Sequence, residues 1–222
     1  MKKTQGRKLK IRPSPQWDGH TCGLRASSSI YKFYGLSPRT LRLRDRLGTD
    51  HALPFWFPKR ETIEPWLGGV DALTAGTAPM DMFAVLYEDG FNFRVMRSGY
   101  RHCREALEAH IRRGHPALCL LYAYFHWVVV SGYDRDGVWI VDSIPNEDDS
   151  WSGYPWPRIY RLPHDLFATL EYGLVLVRRR KSARFRQTTH RDYIREYGKG
   201  LAFIARAAGR RLPKALGLIG AA

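Results

Sequence analysis

HWVVVSGYDRDGVWIVDS, residues 126–143, decides the fold. Two runs rich in valine, isoleucine and aromatic residues flank Asp134, Arg135 and Asp136, a short polar turn. Apolar, β-branched runs on either side of such a turn specify an antiparallel hairpin. The start of one hairpin strand lies beside the end of the next, so the spacing predicts that His126 and Asp142 are neighbours. Their contact also requires both side chains on one face of the sheet.

Upstream, PALCLLY (116–122) reads as a further strand and HCREALEAHIRRG (102–114) as a helix closed by Gly114. FNFRVM (91–96) is a strand. Before it, GTAPMDMFAVLYEDGF (76–91) carries a helix with Thr77 as cap, Pro79 in the first turn and an apolar face of Met82, Phe83, Leu86 and Tyr87, stopped by Gly90. Residues 22–34 form a helix whose buried side is Leu24, Ala26, Ser28, Ile30, Tyr31 and Phe33, ended by Gly35. Residues 13–21 form a loop broken by Pro13, Pro15 and Gly19. Residues 50–76 are turn-rich and receive no assignment. Downstream, GLVLVR (173–178) is a strand. Helices come first and an antiparallel sheet follows, an α+β arrangement.

The chain has 222 residues, 44% of them hydrophobic and 13% aromatic, which suits a packed core and excludes a disordered chain. The formal charge of +15 is uneven. Residues 1–12 carry six basic groups and no acid; residues 178–222 carry 13 basic groups against two acids. That leaves residues 13–177 nearly neutral, with 17 basic and 19 acidic groups. Three segments follow: a basic N-terminal arm (1–12), a domain (13–177) and a basic C-terminal tail (178–222). The basicity at the ends weakens any reading of the domain itself as a nucleic-acid binder. Cys22, Cys103 and Cys119 lack zinc or disulfide spacing, which points to a reducing compartment. The longest apolar run, residues 117–130, is too short for a membrane span. The basic N-terminus has no apolar stretch behind it, so no signal peptide is read. A cytoplasmic location is expected, or a virion-associated one for a phage-encoded protein.

The chemistry centres on Cys22, at the first turn of its helix. A helix N-terminus carries roughly +0.5 charge and favours a thiolate, the nucleophile of covalent acyl chemistry. His126, opening an apolar strand, is the candidate base, and Asp142 the group that orients it. The Cys22 backbone N–H and the Gln16 side-chain amide are candidate donors to an oxyanion. Singly, each signal is weak: a cysteine at a helix start is more often a small buried residue, and a strand histidine a satisfied core one. The force lies in the order Gln, Cys, His, Asp.

These residues resemble the papain-like cysteine peptidases, and more closely the bacteriocin-processing C39 branch and its stand-alone C39-like relatives. The resemblance rests on Gln16 followed after five residues by Cys22-Gly23, on His126-Trp127-Val128-Val129-Val130, and on the interval from His126 to Asp142. It covers residues 13–177 and includes TAPMDMFAVLYEDGF. It implies a papain-like fold with the cysteine on a helical half and the histidine on a sheet half. It also implies Cys22 as nucleophile, His126 as base and then acid, Asp142 as its orienter, and Gln16 in the oxyanion hole. A peptide or protein substrate is implied, cut at a small-residue site of Gly-Gly or Gly-Ala type, with no cofactor and no metal. Known members sit on peptide exporters, whereas no membrane span or nucleotide-binding domain is read here. Extra sequence around 40–76, with Phe55, Trp56, Phe57 and Trp66, is expected to reshape the cleft.

Two rival functions keep this framework. A papain-like site can transfer the acyl group to an amine or thiol instead of water, or the domain can be an idle binding or structural protein acting through its basic ends. The tail could meet an anionic partner: nucleic acid, an anionic membrane surface or an acidic protein. Cys103 and Cys119 read as structural, Gly68-Gly69 as a turn, His20-Thr21-Cys22 as too few ligands for a metal, and the NEDDS acids (146–150) as a solvated loop.

Overall fold

A computed structural model of the chain describes residues 6–16, 21–37, 43, 44, 46, 47, 77, 79–96, 98–121, 126–145, 157–179, 198, 199 and 202. Most of the 40–76 stretch, the NEDDS acids, Gly68-Gly69, His20 and most of the tail lie outside these residues. The elements in chain order are β1 (Arg7–Lys8), α1 (Cys22–Phe33), α2 (Pro79–Glu88), β2 (Phe91–Val95), α3 (Tyr100–Arg112), β3 (Ala117–Leu121), β4 (His126–Tyr133), β5 (Gly137–Pro145), β6 (Pro157–Pro163), α4 (His164–Leu170) and β7 (Glu171–Arg179).

One antiparallel sheet runs β2-β7-β3-β4-β5-β6, with β1 paired to β4 off this path. The apolar run from 117 to 130 falls on its two central strands. All five residues of β3 and all eight of β4 are buried, which explains a hydrophobic stretch without polar alternation. The 126–143 hairpin forms as the sequence predicts. Asp134 closes its turn: its N–H donates to the Gly137 carbonyl, and its Oδ1 accepts the N–H groups of Asp136 and Gly137.

Helix α1 is buried nearly all round, including Ser27, Ser28 and Ser29, small residues that let neighbours approach closely. It packs on β4 and β5 and beside α2, where Ser27 Oγ lies 3.1 Å from Met82 Sδ and the Tyr31 hydroxyl donates to Asp89. Arg46 straps the same helix end, bonding Asp89 at 2.9 Å and Glu88 at 2.6 Å. Gly35, Gly90 and Gly114, which the sequence marks as helix stops, all have positive φ, a conformation that costs glycine least.

Three elements were not read from the sequence. Residues 7 and 8, inside the basic run, form β1; Arg7 pairs with Tyr133 and Lys8 with Gly132. Arg7, Lys8, Lys10 and Arg12 are exposed while Leu9 and Ile11 are buried. Lys8 Nζ lies 3.6 Å above the Trp139 ring. β6 and α4 are the others. β6 is an edge strand with a proline at each end, the position where a strand tolerates proline. Its Ile159 is exposed, which obscures any apolar alternation. Of the tail, Lys199 sits 5.2 Å from the Phe93 ring on β2.

Candidate active site

Cys22 is the first residue of α1, His126 the first of β4, and Asp142 lies near the end of β5. Val129 pairs with Val141. His126 is three residues from one partner and Asp142 one residue from the other; both offsets are odd, so the two side chains share a face. His126 Nε2 and Asp142 Oδ1 are 2.8 Å apart. The Cys22 side chain hydrogen-bonds the same imidazole, and Nδ1 is the nitrogen left on that side. All three side chains are buried, at 7% exposure for Cys22, 9% for His126 and 1% for Asp142.

Asp142 is held by three donors. Besides the imidazole, the Ile144 backbone N–H reaches Oδ1 at 2.9 Å and the Tyr160 hydroxyl reaches Oδ2 at 3.0 Å. Burial works against its charge, but the bond and charge of His126, followed by the Ile144 N–H and the Tyr160 hydroxyl, hold its carboxyl below the usual range. The same contest occurs at His126. Burial opposes the imidazolium, and the hydrogen bonds with Asp142 and then Cys22, together with their charges, outweigh it and push the ring up to about 9. An imidazolium between two acidic partners is thus the favoured state at neutral pH.

Gln16 is tied to the same strand end. Its backbone N–H donates to the Ser143 carbonyl at 3.0 Å, and its Oε1 accepts the Ser143 hydroxyl at 2.8 Å. The side-chain oxygen is therefore occupied by the residue that follows Asp142. The structure thus joins Cys22, His126 and Asp142 directly, and anchors Gln16 beside Asp142 through Ser143. Ser143 and Tyr160 were not singled out in the sequence as site residues. The only trace of Tyr160 is an aromatic residue within an unassigned stretch.

Cys103 and Cys119 are buried and form no disulfide, and they lie apart from this chain of bonds. Cys103, with Phe93, Met96, His102 and Lys199, helps line a cavity of about 660 Å³ beside β2 and α3 that includes none of the four candidate residues. Among the described residues no group of three or more histidine, cysteine, aspartate or glutamate side chains is placed to hold a metal ion. No helix among them is long and apolar enough to cross a membrane.

No family model matches the chain, and no curated protein matches it. Solved structures do. The chain is similar to a double-glycine-motif protease from an AMS/PCAT transporter, solved in complex with the leader peptide, with 14% identity and a TM-score of 0.51 over 78% of this chain and 94% of that one. It is similar to the peptidase domain of Streptococcus ComA, a bifunctional ABC transporter of a quorum-sensing pathway, with 16% identity and a TM-score of 0.51 over 77% and 99%. A Bacillus anthracis protein described as a C39-like peptidase gives 14% identity and a TM-score of 0.53 over 79% and 100%. The shared feature is the fold: mixed helix and antiparallel sheet, as in the C39 papain-like peptidase domains.

Proposed function

We propose that the chain is a cysteine peptidase with Cys22 as nucleophile, His126 as acid and base, Asp142 as the orienter of His126, and Gln16 as an oxyanion donor. The observation that carries this reading is the continuous hydrogen-bonded chain from Cys22 through His126 to Asp142. The fold shared with C39 peptidase domains supports it.

In this mechanism His126 takes the proton of the Cys22 thiol and the sulfur attacks the scissile carbonyl carbon. The carbonyl oxygen becomes an oxyanion that accepts hydrogen bonds from the Cys22 backbone N–H at the start of α1 and from the Gln16 side-chain NH2. Collapse of the intermediate breaks the C–N bond, and the imidazolium gives its proton to the leaving amine. His126, now neutral, takes a proton from water, whose oxygen attacks the thioester; a second collapse breaks the C–S bond, releases the acid and leaves the sulfur beside the imidazolium. Asp142 stabilises each imidazolium stage and fixes the ring so that Nδ1 faces the sulfur.

The substrate in this reading is a peptide or protein cut after small residues of Gly-Gly or Gly-Ala type. The complex of one fold neighbour with a leader peptide supports that class. The basic segments would bring an anionic partner to the domain.

The test is alkylation of Cys22 by iodoacetamide at pH 6, where a free thiol of pKa ~8.5 is largely protonated. The modified site is read by peptide mass spectrometry, so Cys103 and Cys119 stay in place. Fast labelling of Cys22 that falls at least tenfold in His126→Ala supports the reading. Slow labelling with no response to His126 overturns it. Double-glycine peptides incubated with the wild type and with Cys22→Ala then report cleavage, and added amine separates hydrolysis from acyl transfer.

A further inference from the structure

Two contacts meet at Thr77. Its backbone carbonyl accepts the indole N–H of Trp127 at 2.8 Å. Its side chain fills the space where Gly23 carries no Cβ: a methyl group at position 23 would lie 2.4 Å from Thr77 Cβ and 2.5 Å from Oγ1. Trp127 follows His126, and Gly23 follows Cys22. A single residue, 6% exposed and two positions before α2, therefore touches the neighbour of the candidate base and the neighbour of the candidate nucleophile. Thr77 Oγ1 is buried and has no hydrogen-bond partner among the described residues, so what the side chain contributes here is shape.

We propose that Thr77 is a positioning residue: by seating Gly23 and holding Trp127 it sets the approach of Cys22 to His126. The inference rests on the peptidase reading of those two residues. Gly23 must be glycine because Thr77 occupies its side-chain space, and α1 is thereby drawn in until its first residue meets the imidazole. The Trp127 N–H fixes the other half of the gauge, since a strand that begins with His126 cannot slide while its next residue is bonded to Thr77. Displacing reacting groups by about 1 Å can cost on the order of a hundredfold in rate.

Three variants separate shape, carbonyl and hydroxyl. Thr77→Val keeps the volume and removes the unpartnered hydroxyl. Thr77→Gly removes the side chain that seats Gly23. Trp127→Phe removes the N–H and keeps most of the ring. Cys22 alkylation at pH 6 is read together with the NMR titration of the His126 ring, at a temperature where near-UV circular dichroism of each variant is native. The expected result is a ten- to hundredfold slower alkylation in Thr77→Gly and Trp127→Phe, with His126 titrating lower because it has lost the Cys22 bond, and wild-type behaviour in Thr77→Val. Should one variant fail to fold, the other carries the test.

Alkylation within twofold of wild type and an unmoved His126 titration in the folded variants overturn the positioning role, even if melting temperatures fall. A large loss in Thr77→Val also overturns it, since the hydroxyl would then be the active group. The His126→Ala comparison keeps the two readings apart. If wild-type labelling does not depend on His126, the peptidase reading has failed; if it does and the Thr77 and Trp127 variants match wild type, only the positioning role has failed.

Discussion

Replacing Asp142 by asparagine keeps the shape of a side chain 1% exposed to solvent and removes its charge. The ring of His126 stands at about 9 against an ordinary 6.5, with burial pulling down and Asp142 and Cys22 pulling up. At 1.36 kcal/mol for each tenfold in proton affinity, that rise is worth roughly 3 kcal/mol to the folded state. The raised affinity means that this stability is fully present below 6.5 and is lost as pH climbs through about 9. On the acid side, the depressed carboxyl of Asp142 contributes above its unfolded value of ~3.9 and is lost only as pH falls through its lower folded value. The pair is therefore worth most between about pH 4 and 6.5.

Two assays read this. The His126 Cε1–H resonance, identified by its absence in His126→Ala, is expected to titrate near 9 in the wild type and lower in Asp142→Asn, where burial meets less opposition. Urea unfolding should show the wild type ahead of Asp142→Asn by roughly 3 kcal/mol more at pH 6 than at pH 10. Any constant offset from lost hydrogen bonds cancels in that comparison. A His126 that titrates at the same pH in both proteins, or a stability difference flat with pH, refutes the electrostatic account of the site.

Tyr160→Phe removes the hydroxyl bonded to Asp142 Oδ2; it should cost about 1–2 kcal/mol by urea unfolding and raise the pH at which activity is lost on the acid side. Asp81, in the first turn of α2, is pushed up to about 6 by burial. Its ionisation penalises the fold above that pH, so Asp81→Asn should stabilise at pH 7.5 by up to about 3 kcal/mol and change little at pH 4, as thermal melts at the two pH values will show. Leu9→Ala and Ile11→Ala should each cost about 2–4 kcal/mol despite lying in a basic run, because both side chains are buried; an unchanged urea midpoint would mean that the run is not packed on the sheet.

The central hairpin was legible because its information is local: two β-branched runs and a three-residue polar turn determine which strands pair. The neighbourhood of His126 and Asp142 followed from that turn. Their common face depends on register, which the Val129–Val141 pairing supplies and composition does not. Helix α1 was legible from its apolar spacing and Gly35, and Ser28 was placed on its buried side; Ser27 and Ser29 were not, and they are buried packing positions too. What escaped were pairings between distant segments. Gln16 meets Ser143 across 127 positions, and no local pattern announces such a bond. In β1 and the residues that follow it the density of lysine and arginine masks the alternation of Leu9 and Ile11, since charge is counted along the chain while burial is decided face by face. Tyr160 was hidden for the opposite reason: its strand points an isoleucine at solvent and its tyrosine at the site, the reverse of the pattern that marks a half-buried strand.

The strand order has a temporal consequence. Cys22 enters helix α1, but 104 positions separate it from His126, and β7, which fits between β2 and β3, is the last of the described strands to be made. At ~5–20 residues per second, a ribosome needs roughly 5–20 s to travel from the proposed nucleophile to its base. Contacts of such long sequence separation also form late in folding. Through that interval the nascent chain carries Cys22 without His126 and without Asp142. In the proposed mechanism the closing of the sheet brings the base to the nucleophile, so a ribosome-bound fragment ending before residue 126 lacks the group that would activate Cys22.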